Sequence, residues 1–153
     1  MKKQTARRIR IVGGLLFIIY MVALIYLLFF AESYGRTNGL EEYRYNVVPF
    51  REIRRYLRYP QLLGPYAVLT NLVGNVVGFI PFGAILPVLK RNMRSFWKIL
   101  LLSFEFTAVI EVTQLITKVG SFDVDDMILN TLGGVLGYFI FALCDRLRRK
   151  YYG

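Results

Sequence analysis

The chain has 153 residues, 56% of them hydrophobic, a net charge of +10, no histidine and a single cysteine, Cys144. Without histidine there is no imidazole for acid–base catalysis or for the usual zinc sites, and one cysteine excludes an internal disulfide or a cysteine-cluster metal centre. Nucleic acid is not the expected partner of the basic excess, because the lysines and arginines stand beside apolar runs, where they act as topology signals and contacts for anionic membrane lipids.

The first apolar run, Ile11–Phe30, carries no charge and is long enough to cross a bilayer as a helix. Lys2, Lys3, Arg7, Arg8 and Arg10 precede it in the manner of a signal peptide. The run is too long for such a segment, and "LLFFAESYG" lacks the paired small residues of a cleavage site, so it is read as a retained span. In the following loop, "YRYNVVPFREIRRYLRYP" (43–60) places Phe50, Ile53 and Leu57 at 3–4 spacing. Arg51, Arg54, Arg55 and Arg58 fall largely on the other side, which predicts an amphipathic helix lying in the membrane interface.

The second span is expected at Leu62–Leu89, tilted or kinked where Pro81 and Pro87 interrupt it. Within it Asn71, Gly74, Asn75 and Gly78 share one face, so Gly74 and Gly78 would admit a neighbouring helix and the asparagines would bond across the contact. The third span, Phe96–Thr117, holds two acids. At 100° per residue, Thr107, Glu111 and Gln114 lie within about 60° of one another. Glu105 lies about 120° from Glu111 and must face another neighbour, such as an arginine or Lys98.

The fourth span, Met127–Cys144, follows "SFDVDDM". Asp123 suits the N-cap of that helix with Asp126 at N3, an arrangement close to a capping box and favoured by the helix dipole. Asp126, Asn130 and Gly137 share a face with Gly133 or Gly134, and Gly133 and Gly137 form a second small-residue pair. Glu111 falls about 9 Å, and Asn130 roughly 6 Å, from the membrane edge at which their helices meet. A carboxyl at such depth must face protein or water, and intramembrane ionisable groups are functional candidates.

The expectation is an all-α, polytopic membrane protein of a single domain over residues 1–153, with four transmembrane helices plus the interfacial amphipathic helix in the first outer loop. The basic N-terminus, the turn with Lys90, Arg91, Arg94 and Lys98, and the basic C-terminus with Arg146, Arg148, Arg149 and Lys150 fall on one side. The positive-inside rule makes that side, and both termini, cytoplasmic. Asn71, Asn75, Glu111, Gln114, Asp126 and Asn130 would then meet in an outward polar site.

Several segments taken together resemble the VanZ-like family of small membrane proteins: "NVVPF" (46–50), "NLVGNVVGFIPFGAILP" (71–87), "EVTQLI" (111–116) and "SFDVDDMILNTLGGVLGY" (121–138). The resemblance covers about residues 45 to 140 and preserves order and spacing. It implies a multi-pass protein of the bacterial cell membrane, in a family whose founding member is associated with resistance to the lipid-tailed glycopeptide teicoplanin. Its polar positions add Asn46 and Asp123 to the expected ligand-binding set. Lys118 and Gly120 stand where many relatives carry a basic residue before the serine–phenylalanine pair. The expected partners are membrane lipids and a lipoglycopeptide or lipid-linked cell-wall precursor, with no cofactor and no resident metal. Two alternatives stay open. One is an enzyme acting on a lipid-linked substrate, with Glu111 and Asp126 as acid and base or with Asp123 holding a divalent ion. The other is a small proton-coupled transporter using Glu105 and Glu111.

Overall fold

The computed structural model describes residues 3–30 and 43–152; Lys2 and residues 31–42, with most of the stretch weighed for signal cleavage, lie outside the described residues. Four helices are long and apolar enough to cross a membrane: Arg7–Phe30, Pro65–Leu89, Phe96–Thr117 and Val124–Tyr151. The protein is an all-α polytopic membrane protein. Hydrocarbon offers no partner for a free N–H or C=O, so these runs satisfy their backbones internally as helices. Helix α1 (Lys3–Phe30) is apolar nearly all round beyond its basic start and leaves most of its surface exposed, with Leu24 its buried contact.

The second crossing begins at Pro65 rather than Leu62. Gly64, at φ 84, ends the short helix α3 (Pro60–Leu63), and Pro65 opens α4 (Pro65–Val68) from the first helical position, where a missing N–H costs nothing. The irregularity is not at the inner prolines: α5 (Asn75–Leu89) runs through both Pro81 and Pro87. It lies in a π-helical segment, Leu69–Gly74, between α4 and α5. There Thr70 Oγ1 donates to the Tyr66 carbonyl and Asn71 Nδ2 to the Ala67 carbonyl, each at 2.8 Å, so polar side chains serve carbonyls of the widened turn. The third crossing, α6 (Phe96–Thr117), keeps its expected bounds. The fourth, α7 (Val124–Tyr152), starts earlier than Met127 and runs well past Cys144.

Helices α5 and α7 meet backbone against backbone. A Cβ added at Gly83 would lie 1.7 Å from the Gly134 carbonyl oxygen, one at Gly137 would lie 2.0 Å from that of Ile80, and one at Gly133 would lie 2.1 Å from that of Val76. The Gly133 and Gly137 pair thus sits in the contact as expected. The Gly74 and Gly78 pair does not, since a Cβ at Gly78 would reach only a Leu24 methyl at 3.8 Å. Gly83 replaces it because Gly83 shares the face of Val76 and Ile80, whereas Gly78 turns toward α1 and its carbonyl accepts the Tyr20 hydroxyl at 2.8 Å. Leu24, Phe79 and Ile110 form the core between α1, α5 and α6, beside the stacked rings of Phe82 and Phe106 at 4.9 Å.

Two features cover the end of the bundle opposite the termini. Helix α2 (Arg51–Arg58) is the amphipathic helix expected there. A two-residue parallel pair joins β1 (Tyr45–Asn46) to β2 (Phe122–Asp123), with Asn46 opposite Asp123. The pair clamps the segment before α2 onto the entry of α7.

Candidate functional site

Asp123, Asp125 and Asp126 are neighbours in sequence and serve three different partners in space. Asp123 precedes α7, and its Oδ1 accepts the Asp125 N–H at 2.8 Å, the N-cap bond expected of it. Asp126 does not close the capping box. The Asp123 N–H donates instead to Glu111 Oε2 at 2.8 Å, so a carboxylate from α6, only 2% exposed, takes the place that a residue of α7 would fill. The β-register brings Asn46 to the same point, where Nδ2 donates to Asp123 Oδ1 at 2.9 Å. Burial pushes the Asp123 carboxyl above its ordinary range, while the Asp125 N–H and the Asn46 amide pull it back.

Asp125 is not among the residues expected at the site, yet it holds a wall of it in place. Its Oδ2 accepts the N–H of Glu52 at 2.7 Å and of Ile53 at 3.0 Å, and its Oδ1 accepts the N–H of Phe50. Helix α2 has no capping side chain of its own, because Phe50 occupies the N-cap in the left-handed conformation at φ 64. That absence is a readable signal: "PFREI" offers no Ser, Thr, Asp or Asn where the first amides need an acceptor, so one must come from another element.

Asp126 turns to α5, where its Oδ1 accepts from Asn75 Nδ2 at 2.6 Å. Gln114 donates through Nε2 to the Leu28 carbonyl at 3.1 Å and ties α6 to the end of α1. Asn130, 1% exposed, sits deeper and donates to Thr107 Oγ1 at 2.8 Å. With Ser103 these groups make a buried polar stripe along α6: Ser103, Thr107, Glu111 and Gln114. Ser103 escapes a sequence reading because a hydroxyl in an apolar helix more often bonds its own backbone. Glu105 lies on the opposite, exposed flank, and neither Lys98 nor an arginine pairs with it among the described residues.

Between α2, the β-pair and α7 lies a polar pocket of about 270 Å³. Of the expected residues, Asn46, Asn71, Gln114, Asp123 and Asp126 line it, whereas Asn75, Glu111 and Asn130 do not. Arg44, Tyr45, Glu52, Arg55, Tyr56 and Ser121 complete its walls. Arg55 is paired with Glu52 at 2.7 Å, and Arg44 forms no ion pair among the described residues. Planar guanidinium donors beside amides and the three carboxyl groups of Glu52, Asp123 and Asp126 suit a ligand that carries both anionic and N–H-donating amide groups. Glu111 and Asp126, the acid–base pair of the enzyme alternative, do not line this cavity together; Glu111 instead positions Asp123. Among the described residues no three His, Cys, Asp or Glu side chains gather as metal ligands.

The model of the VanZ/LLP1 family matches residues 17–145. The chain belongs to the VanZ/LLP1 family. Protein VanZ of Enterococcus faecium is 32% identical over 134 residues, which cover 84% of this chain and 72% of that protein. No solved structure matches the chain. The VanZ/LLP1 match includes every residue expected at the site, from Asn46 to Asn130, and the unexpected Asp125.

Proposed function

We propose that this VanZ/LLP1 protein acts in the bacterial cell envelope and lowers susceptibility to glycopeptide antibiotics such as teicoplanin. The polar pocket beside α2 would do so by engaging a lipoglycopeptide or the headgroup of a lipid-linked cell-wall precursor. One observation carries the reading: the pocket opens at the end of the bundle opposite the basic termini, and holds Arg44, Asn46, Asn71 and Asp126 at the rim of the apolar spans. By the positive-inside rule the basic termini are cytoplasmic, so the pocket faces outward, where such antibiotics and precursors are found. Arg44 supports an anionic group, and the amides of Asn46 and Asn71 support peptide-like groups.

The test is the inhibitory concentration of teicoplanin against a susceptible host that expresses the protein. The native chain raises it, and Asp126→Asn removes the rise at an unchanged membrane level, because the amide can still accept from Asn75 but no longer offers a charge-assisted acceptor to the ligand's N–H groups. Equal tolerance from Asp126→Asn and native protein would sink the assignment of the pocket.

A further inference from the structure

A second cavity lies at the other end of the bundle, and its chemistry differs. It measures about 240 Å³ and is lined by Arg10 of α1, Arg91 and Arg94 of the turn between α5 and α6, and Arg148 of α7. Ile9, Val88 and Phe141 give it an apolar side. One acid, Asp145, stands against the four arginines.

Asp145 fixes part of this array. It is buried, and its Oδ1 accepts Arg148 Nη2 at 2.5 Å while its Oδ2 accepts Arg149 Nε at 2.9 Å. Arg94 is held from three directions. Its Nε donates to the Pro87 carbonyl at 3.1 Å, its guanidinium lies 5.4 Å from the centre of the Phe141 ring, and Asp145 Oδ2 is 3.9 Å away. Arg10 and Arg91 form no ion pair among the described residues. Arg10 and Arg148 also lie outside the range that the VanZ/LLP1 match covers, so the array is not a restatement of that match.

We infer that this cavity binds the phosphate of an anionic phospholipid headgroup, with the acyl chains leaving along Ile9, Val88 and Phe141. Guanidinium groups converging from three elements match a phosphate diester through paired N–H donors. A basic cavity between membrane helices at the lipid surface is the setting in which such headgroups are held. The apolar side favours a lipid over free phosphate, which has no hydrocarbon to place there. The inference stands apart from the outward pocket and survives if that pocket binds nothing.

The full-length protein in a neutral detergent is titrated with short-chain phosphatidylglycerol, with phosphatidylcholine of the same chain length and with inorganic phosphate, following the midpoint of thermal unfolding. Phosphatidylglycerol is expected to stabilise at the lowest concentration. Arg10→Gln combined with Arg91→Gln should weaken that effect about 25-fold, at roughly fivefold per basic residue at a lipid surface. Both side chains are exposed, so the lipid-free unfolding midpoint should not move. Arg7→Gln with Lys98→Gln removes equal charge near the same end but outside the cavity, and should weaken it far less. Equal weakening by the two double variants would overturn the inference, as would equal stabilisation by phosphatidylcholine. Equal protection by inorganic phosphate would overturn the lipid assignment.

Discussion

At the end that carries α2, the carboxylates of Asp123, Asp125 and Glu111 are met by backbone N–H groups and an asparagine amide; at the end that carries the termini, Asp145 is met by arginine side chains. The difference is one of rigidity. Backbone donors at helix starts are placed by the fold itself, so they fix a cavity wall without ordering a long side chain. Arg148 and Arg149 are exposed, must be ordered to pair, and are screened by salt. The pocket beside α2 is therefore a shaped site, and the arginine array an adaptable one.

The sharpest way to break this contrast is Asp125→Ala, which leaves the N–H groups of Phe50, Glu52 and Ile53 without their acceptor. The loss should be about 3 kcal/mol, at roughly 1–3 kcal/mol for each buried donor left unpaired and some regained from water. Helix α2 should detach, and trypsin should cut at Arg54, Arg55 and Arg58 much faster than in the native protein. Unchanged digestion would show that α2 does not depend on the cap. Asp145→Asn should be milder, about 1 kcal/mol, because its partners are exposed. The difference in unfolding midpoint between native and Asp145→Asn should shrink in high salt, whereas that of Asp125→Ala should persist. A salt-independent Asp145 effect would erase the distinction between the two ends.

The smallest effect concerns acidity. Burial raises the Asp123 pKa in the folded protein. The stabilising contribution of its protonated form is therefore complete below the unfolded value of about 3.9 and is lost as pH rises through the folded value. Asp123→Asn keeps an oxygen for the Asn46 amide and the Asp125 N–H but cannot titrate. Its unfolding midpoint in detergent should fall less than the native one as pH is raised from about 4 to about 7. Identical pH profiles would remove burial as the cause.

Much of this architecture is legible in the sequence because membrane spans are written in long apolar runs. The bounds of α6 can be read from "FWKILLLSFEFTAVIEVTQLIT" alone. The start of the second crossing cannot, since Leu62 and Leu63 are as apolar as the span itself and only the left-handed Gly64 and Pro65 separate them from it. The site is legible to the extent that polar residues in apolar helices stand out, which covers Asn71, Glu111, Gln114 and Asn130. Their pairing is not, because it depends on contacts between elements distant in sequence. Glu111 rather than Asp126 receives the Asp123 N–H across twelve residues, and Asp125 reaches α2 across more than seventy. The β-pair is too short for any alternation to mark.

Helix α7 also acts as a ruler. From Val124, beside the capping aspartates, to Asp145, at the arginine array, the axial rise is about 32 Å. The hydrocarbon layer of a typical bilayer is about 30 Å thick. The acids at either extreme of one continuous helix thus stand about one hydrocarbon thickness apart, and the glycine contact with α5 fixes that helix against its neighbour. A thicker bilayer would press on charge at one rim or the other, at a cost of fractions of a kcal/mol per Å that local thinning of the bilayer relieves.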